Sequence, residues 1–279
     1  MIIDFHTHTF PDAIASKAIT TLSQKAHARA FSDATAEGLV RSMDRAGIDL
    51  SVILPVATAP RQVEHINDRA AALNEGGRLL SFGSMHPLLE TWEAELERIA
   101  EIGLKGIKIH PVYQDVAIDD PRFVRILKKC GELGLIVVMH AGDDIGFPGV
   151  SLCPPEATRR AFDKAGDVTL VAAHVGGWRR WRDVIPFFAD TPILIDTSFS
   201  LGEIKPLDDG YYRPEELPML EEELFLEIVG ALGSGRVLFG TDSPWSDQET
   251  ELERFRSLPL DDKEKEAILG GNARCLLGR

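Results

Sequence analysis

Two histidines, His6 and His8, stand two residues apart at the end of the opening apolar run MIIDF. Side chains alternate along an extended strand, so both imidazoles face the same side, and the same period puts Asp4 one layer beneath them. Two ring nitrogens aimed at one point are the beginning of a metal site. The competing reading is a pair satisfied by hydrogen bonds alone, and His-x-His by itself does not choose between the two.

Other candidate ligands occupy comparable places. His110 follows the run GIKI, His140 follows LIVVM, His174 follows VTLVAA, and Asp242 follows VLFGT. Imidazole nitrogen and carboxylate oxygen suit Zn²⁺ or a related first-row ion such as Mn²⁺, and three histidines with one aspartate leave a position open for water. The ion brings the pKa of that water toward neutrality, which is the chemistry of metal-assisted hydrolysis. Lys108 precedes His110 by two and shares its side of the strand, where both could bind substrate. Trp178 and Arg179 follow HVGG, and Trp245 follows TDSP. Aromatic walls with a cation suit a flat or carboxylated ligand. His27, His65 and His86 sit in helical or loop contexts and read as ordinary surface or packing residues.

The elements that must position these residues are legible as short apolar runs. Eight recur: Ile2 to Phe5, Ser51 to Leu54, Leu79 to Gly83, Gly106 to Ile109, Leu135 to Met139, Val168 to Ala173, Pro192 to Ile195 and Val237 to Phe239. They are rich in Val, Ile and Leu with little alternation, the pattern of parallel strands covered on both faces. The stretches between them each have room for a helix. Three carry a glycine stop: Thr35 to Ala46 before Gly47, Thr91 to Ile102 before Gly103, and Pro121 to Leu133 before Gly134. Asp247 to Leu258 and Asp261 to Leu277 read as closing helices.

Eight such units, with no GxGxxG after the first run, predict an α/β fold: a (β/α)8 TIM barrel in a single domain over residues 1–279. The C-terminal ends of all barrel strands open onto one face, so the candidate ligands, far apart in the chain, would meet around one cavity. Two long connections, Asp143 to Pro155 and Ser198 to Pro218, belong to that face, where lids and specificity elements sit.

Composition narrows the partners. The net charge of −14 opposes phosphate backbones and anionic lipid surfaces, so neither nucleic acid nor membrane is expected. Three scattered cysteines without CxxC spacing argue against a disulfide framework and fit a reducing cytoplasm. No basic leader or long apolar stretch marks secretion or membrane insertion.

The segments DFHTH, VMHAG, AAHVGG and LFGTDSPW, in that order, resemble the amidohydrolase superfamily. Within it they are similar to the amidohydrolase-related branch that includes aminocarboxymuconate semialdehyde decarboxylase and related lactonases. The resemblance runs from Met1 to about Leu277, because GGNARCLLG is similar to that branch's ending. It implies that His6, His8, His140 and Asp242 bind one divalent metal ion, with His174 beside it as a catalytic or polarising group. Some superfamily members carboxylate a lysine on the fourth strand to bridge two metals. Lys108 therefore raises a binuclear alternative to the mononuclear site. A homodimer is also plausible by family.

The expected function is hydrolysis of a small-molecule amide, lactone or ester-like bond by metal-activated water, with Asp242 moving the proton and His174 polarising the carbonyl. The alternative is a lyase, a decarboxylase or hydratase of an unsaturated or aromatic acid, because the ligand set serves both. Multinuclear phosphoesterases would want further ligands from the second, third and seventh strands. Metal-dependent deoxyribonucleases usually bring a glutamate from the middle of the barrel, which GIKIHP lacks. A barrel that has lost its chemistry is disfavoured because every ligand position is filled.

Overall fold

The computed structural model of the chain describes residues 1–74, 77–217 and 219–279. Its strands are β1 (Ile3–Thr7), β2 (Leu50–Ile53), β3 (Leu79–Ser81), β4 (Gly83–Ser84), β5 (Gly106–Ile109), β6 (Ile136–Met139), β7 (Leu170–Ala172), β8 (Leu194–Asp196) and β9 (Val237–Leu238). All pairings are parallel, in the order β1-β2-β3 and β4-β5-β6-β7-β8-β9. The two sheets are one ring. β3 and β4 are halves of a single expected strand, interrupted at Phe82, whose amide donates to Ile53 O at 2.9 Å. The ring closes where Phe5 N donates to Phe239 O and Asp242 N to His6 O, both at 2.8 Å, with Thr7 bridging Ser243. The molecule is a (β/α)8 barrel.

Alternation sorts the core into two layers. Phe5, Val52, Leu80, Phe82, Val138, Val171 and Leu238 form one buried cluster that fills the barrel. Their neighbours Ile53, Ile107, Val137, Ala172, Ile195 and Val237 join the larger cluster between the strands and the helices. Lys108, between Ile107 and Ile109, therefore points inward.

The helix boundaries follow capping chemistry. Thr35 accepts from Gly38 N and starts Ala36–Ala46, which Gly47 ends in the left-handed conformation. Asp120 caps Pro121–Glu132, and Asp247 caps Gln248–Ser257. The last expected helix is three pieces: Asp262–Glu266, a π-turn over Ala267–Gly271, and Asn272–Leu277. Two contacts explain the break. Gly270 lies so close to Met1 O that a Cβ would collide, and the Asn272 amide donates to Ser234 O and Val237 O, both at 2.8 Å.

One expectation is corrected. Asp4 does not lie beneath the histidine pair, because the register of β1 against β2 shifts between Asp4 and Thr7. The bulge breaks the alternation. The Asp4 carboxylate instead accepts from Thr241 Oγ1 at 2.6 Å and from Gln248 Nε2 at 2.7 Å, on the side of the helix Gln248–Ser257.

The Ser198 to Pro218 connection, whose last residue Pro218 is outside the described residues, pairs with the segment that follows the helix Asp12–Ala26. Leu207 N donates to His27 O at 2.9 Å, and Arg29 N to Lys205 O at 2.7 Å. His27 pairs with Asp209 at 2.7 Å and stacks on Tyr211 at 3.7 Å, an ordinary structural role.

Candidate active site and metal centre

One cavity of about 640 Å³ opens at the C-terminal ends of the strands, lined among others by His6, His8, Lys108, His110, His140, His174 and Asp242. Asp242 Oδ1 lies 3.0 Å from His8 Nε2 and 3.3 Å from His6 Nε2. The three ligand atoms are within 4.8 Å of one another.

The hydrogen bonds decide which face of each ring is free. His8 Nδ1 is 2.8 Å from Leu54 O, and a carbonyl only accepts, so that nitrogen carries the proton. His6 Nδ1 lies 2.8 Å from Asp196 Oδ2. Asp196 is itself fixed: its Oδ1 accepts from Ser198 Oγ at 2.5 Å, from His174 N at 3.0 Å and from Ser198 N at 3.1 Å. Oδ2 is left to take the His6 Nδ1 proton. Both Nε2 atoms then present lone pairs toward Asp242 Oδ1, another acceptor; Lys108 Nζ reaches the one on His6 at 3.1 Å, while the His8 lone pair and the carboxylate are left facing each other at 3.0 Å, an arrangement suited to a cation. Burial, followed by the charge of Lys108, holds His6 well below the usual histidine range, so its ring stays neutral as a ligand must be. The donor set fits a divalent ion.

His140 is placed differently. Its Nε2 is 3.0 Å from Asp143 O, and its Nδ1 is 3.0 Å from His174 Nε2. His174 Nδ1 lies 3.1 Å from Ser198 O, so in the neutral forms two lone pairs face each other across the His140–His174 contact. That contact also requires a proton or a cation. Burial, with Lys108 as the next cause, brings His140 down to about 3. The structure thus joins His140 to His174 and leaves it outside the three-donor group.

His110 stacks on His140 with ring centroids 4.1 Å apart and planes 11° from parallel. Its Nε2 is 3.5 Å from Asp144 Oδ2. His110, His140 and Asp144 are near enough to share an ion, but in stacked rings the lone pairs run side by side and do not converge. Lys108 is fully buried, with Nζ 3.1 Å from His6 Nε2. Burial brings its amine down to about 8, against the opposing charges of Asp196 and Asp242.

Among the aromatic candidates, Trp178 and Trp245 line the cavity. Trp178 is drawn against the end of β6: its amide donates to Ala141 O at 2.9 Å, over Gly142, where a Cβ would collide with the Trp178 backbone. Arg179 is not among the residues that line the cavity. It turns outward at φ 60°, covers the Trp178 ring and donates to Glu216 O at 2.8 Å. His65 lines the cavity's outer part, and His86 is buried beside it with Nδ1 accepting from Leu88 N at 3.2 Å. Asp242 (φ 67°) and His174 (φ 59°) both hold left-handed backbone. For residues other than glycine this costs roughly 1–3 kcal/mol each and clusters at functional sites.

A family profile described as Amidohydrolase matches residues 3–279. The chain belongs to the amidohydrolase family. No curated protein sequence matches it. Among solved structures this amidohydrolase is similar to a TIM-barrel protein of Bordetella bronchiseptica, with 20% identity, TM-score 0.78, and 100% of this chain and 99% of that chain covered. It is similar to 5-carboxyvanillate decarboxylase of Sphingomonas paucimobilis at 16% identity and TM-score 0.69, covering 99% and 98% of the two chains. A dihydroxybenzoic acid decarboxylase of Polaromonas, solved with bound manganese and the inhibitor 2-nitroresorcinol, matches at 16% identity and TM-score 0.70, covering 99% and 96%. At these identities the likeness shows the fold.

Sequence reasoning missed Asp196 and Ser198, which organise His6 and His174. A signal was present: ILIDTS puts an acid at the end of the seventh apolar run, the kind of position that singled out His140 and Asp242. It also missed Gln114, whose Oε1 accepts from His110 N at 3.0 Å and whose Nε2 donates to Ala57 O and Met85 O. Nothing local in PVYQD marks that role.

Proposed function

We propose that this amidohydrolase is a metal-dependent decarboxylase of an aromatic or unsaturated carboxylic acid. The observation that carries the reading is the character of the cavity. Phe10, Pro55, Val56, Ile145, Phe199 and Trp245 wall a polar floor of histidines, Lys108 and Asp242. Losing CO2 turns a charged carboxylate into a neutral molecule, and apolar surroundings favour that change. The fold likeness to two aromatic-acid decarboxylases weighs the same way, toward the lyase alternative and away from the hydrolysis first expected.

His6, His8 and Asp242 would hold one divalent ion, with His140 as the fourth ligand that the family resemblance implies. When bound, the ion would orient the acid and stabilise developing charge. Manganese in the Polaromonas relative makes that metal as good an expectation as zinc. Two buried polar atoms in residues lining the cavity, Thr9 Oγ1 and Trp178 Nε1, have no hydrogen-bond partner among the described residues and are suited to substrate oxygens. Lys108 would face the carboxylate. Asp242, with His174 beside it, would deliver a proton to the carbon as its bond to the carboxylate breaks; that electron pair becomes the new C–H bond and CO2 departs.

The test is a screen of the manganese- and zinc-loaded protein against aromatic and unsaturated acids, lactones and N-acyl compounds, read separately for CO2 release and for ring or amide opening. CO2 release from an acid supports the proposal. Opening of a lactone or amide without CO2 release returns the hydrolytic reading.

A further inference from the structure

The cavity is far larger than one aromatic acid requires. A benzene molecule is housed by an apolar cavity of about 150 Å³, whereas this one measures about 640 Å³. The excess lies in a slot between two helices, Asp12–Ala26 and Val63–Leu73, continuous with the catalytic floor.

Ile14, Ala18 and Leu22 line that slot from the first helix at a spacing of four, and so form one stripe. Helices ordinarily bury such a stripe in the protein core. These three belong to neither hydrophobic cluster, and Ile14 is 49% exposed. Across the slot stand Ile66, Ala70 and Leu73 of the second helix. Arg61 and Arg69 line the same space, so it joins apolar walls to two cations, which suits an amphipathic acid better than a neutral hydrocarbon.

We infer that the substrate is bipartite: an acid-bearing ring or unsaturated head at the His6–His8–Asp242 cluster and an apolar arm, of alkyl chain dimensions, in the slot. The occupant follows from continuity, since slot and catalytic floor are one cavity. The inference rests on the proposed acid-decarboxylase reading for the head and on the slot's own walls for the arm.

Isothermal titration of the manganese-loaded protein with salicylate and with 6-alkylsalicylates of increasing chain length tests it. Affinity should rise about three- to four-fold with each added methylene until the slot is full, as burial of about 0.8 kcal/mol per methylene requires. Ala18→Phe and Ala70→Leu should flatten that slope. Ala18 is half-buried, so Ala18→Phe serves if the buried Ala70→Leu fails to fold. A flat slope in the wild type, or a slope that survives in Ala18→Phe, overturns the inference. A parallel series of n-alkyl alcohols reads the slot without the acid head. A rising, Ala18→Phe-sensitive affinity for alcohols with no binding of any salicylate upholds the slot and sinks the acid reading. No rise with alcohols and none with salicylates overturns the slot.

Discussion

Asp196 Oδ2 stands 2.8 Å from His6 Nδ1, joining the end of β8 to the end of β1 in a contact with no exposure to solvent on either side. The carboxylate fixes the tautomer of the first candidate ligand, and it is fixed in turn by Ser198 and the His174 amide. Asp196→Asn should therefore lower metal affinity by about 10–100-fold, the usual effect of removing a partner that orients a ligand. Chelator competition measures it. Unchanged affinity would take Asp196 out of the metal site.

Asp242 is the carboxylate on which His6 Nε2 and His8 Nε2 converge. In Asp242→Asn the circular dichroism spectrum and thermal midpoint should stay close to wild type, while turnover of the acid found by screening drops at least about 100-fold, the low end for a lost general acid or base. Near-normal turnover would deny Asp242 the proton.

Lys108 Nζ, 3.1 Å from His6 Nε2, discriminates the two metal stoichiometries. For a mononuclear site, wild type and Lys108→Ala each carry about one equivalent of divalent metal by elemental analysis. A second equivalent present in the wild type in bicarbonate buffer and absent from Lys108→Ala would establish bridging by a carboxylated lysine.

Glu251 gives a pH signature away from the site. Burial pushes its carboxyl up to about 8 from 4.5, with Ser246 and the Gly202 amide opposing. With the folded value above the unfolded one, the folded protein holds the extra proton. The stability from this group is complete below pH 4.5 and is lost as pH rises through about 8. The loss amounts to at most about 1.4 kcal/mol per pH unit. Glu251→Gln should flatten the fall of the thermal midpoint between pH 5 and pH 8, by about 2–4 °C for each kcal/mol removed. Identical pH slopes in the two proteins would show that Glu251 titrates normally.

How much of this was legible beforehand depends on whether a feature is local. Strand runs, helix caps and the glycine stops after Ala46, Ile102 and Leu133 are written in short stretches of sequence, and the barrel follows from their count and order. That order also carries His6, His8, His140, His174 and Asp242 to one face, because a closed parallel barrel brings every strand's C-terminal end to the same rim. Three things were decided only in space. The bulge in β1 turned Asp4 toward Gln248, since register depends on the partner strand. The left-handed backbone at Arg179 sent that side chain out to Glu216, since direction after a turn depends on φ. The pairing of His6 with Asp196 across 190 positions, and of His140 with His174 across 34, came from ring closure and side-chain rotation. Spacing in a sequence gives the face a residue occupies only while the strand stays regular, and it never says which neighbour a ring nitrogen meets.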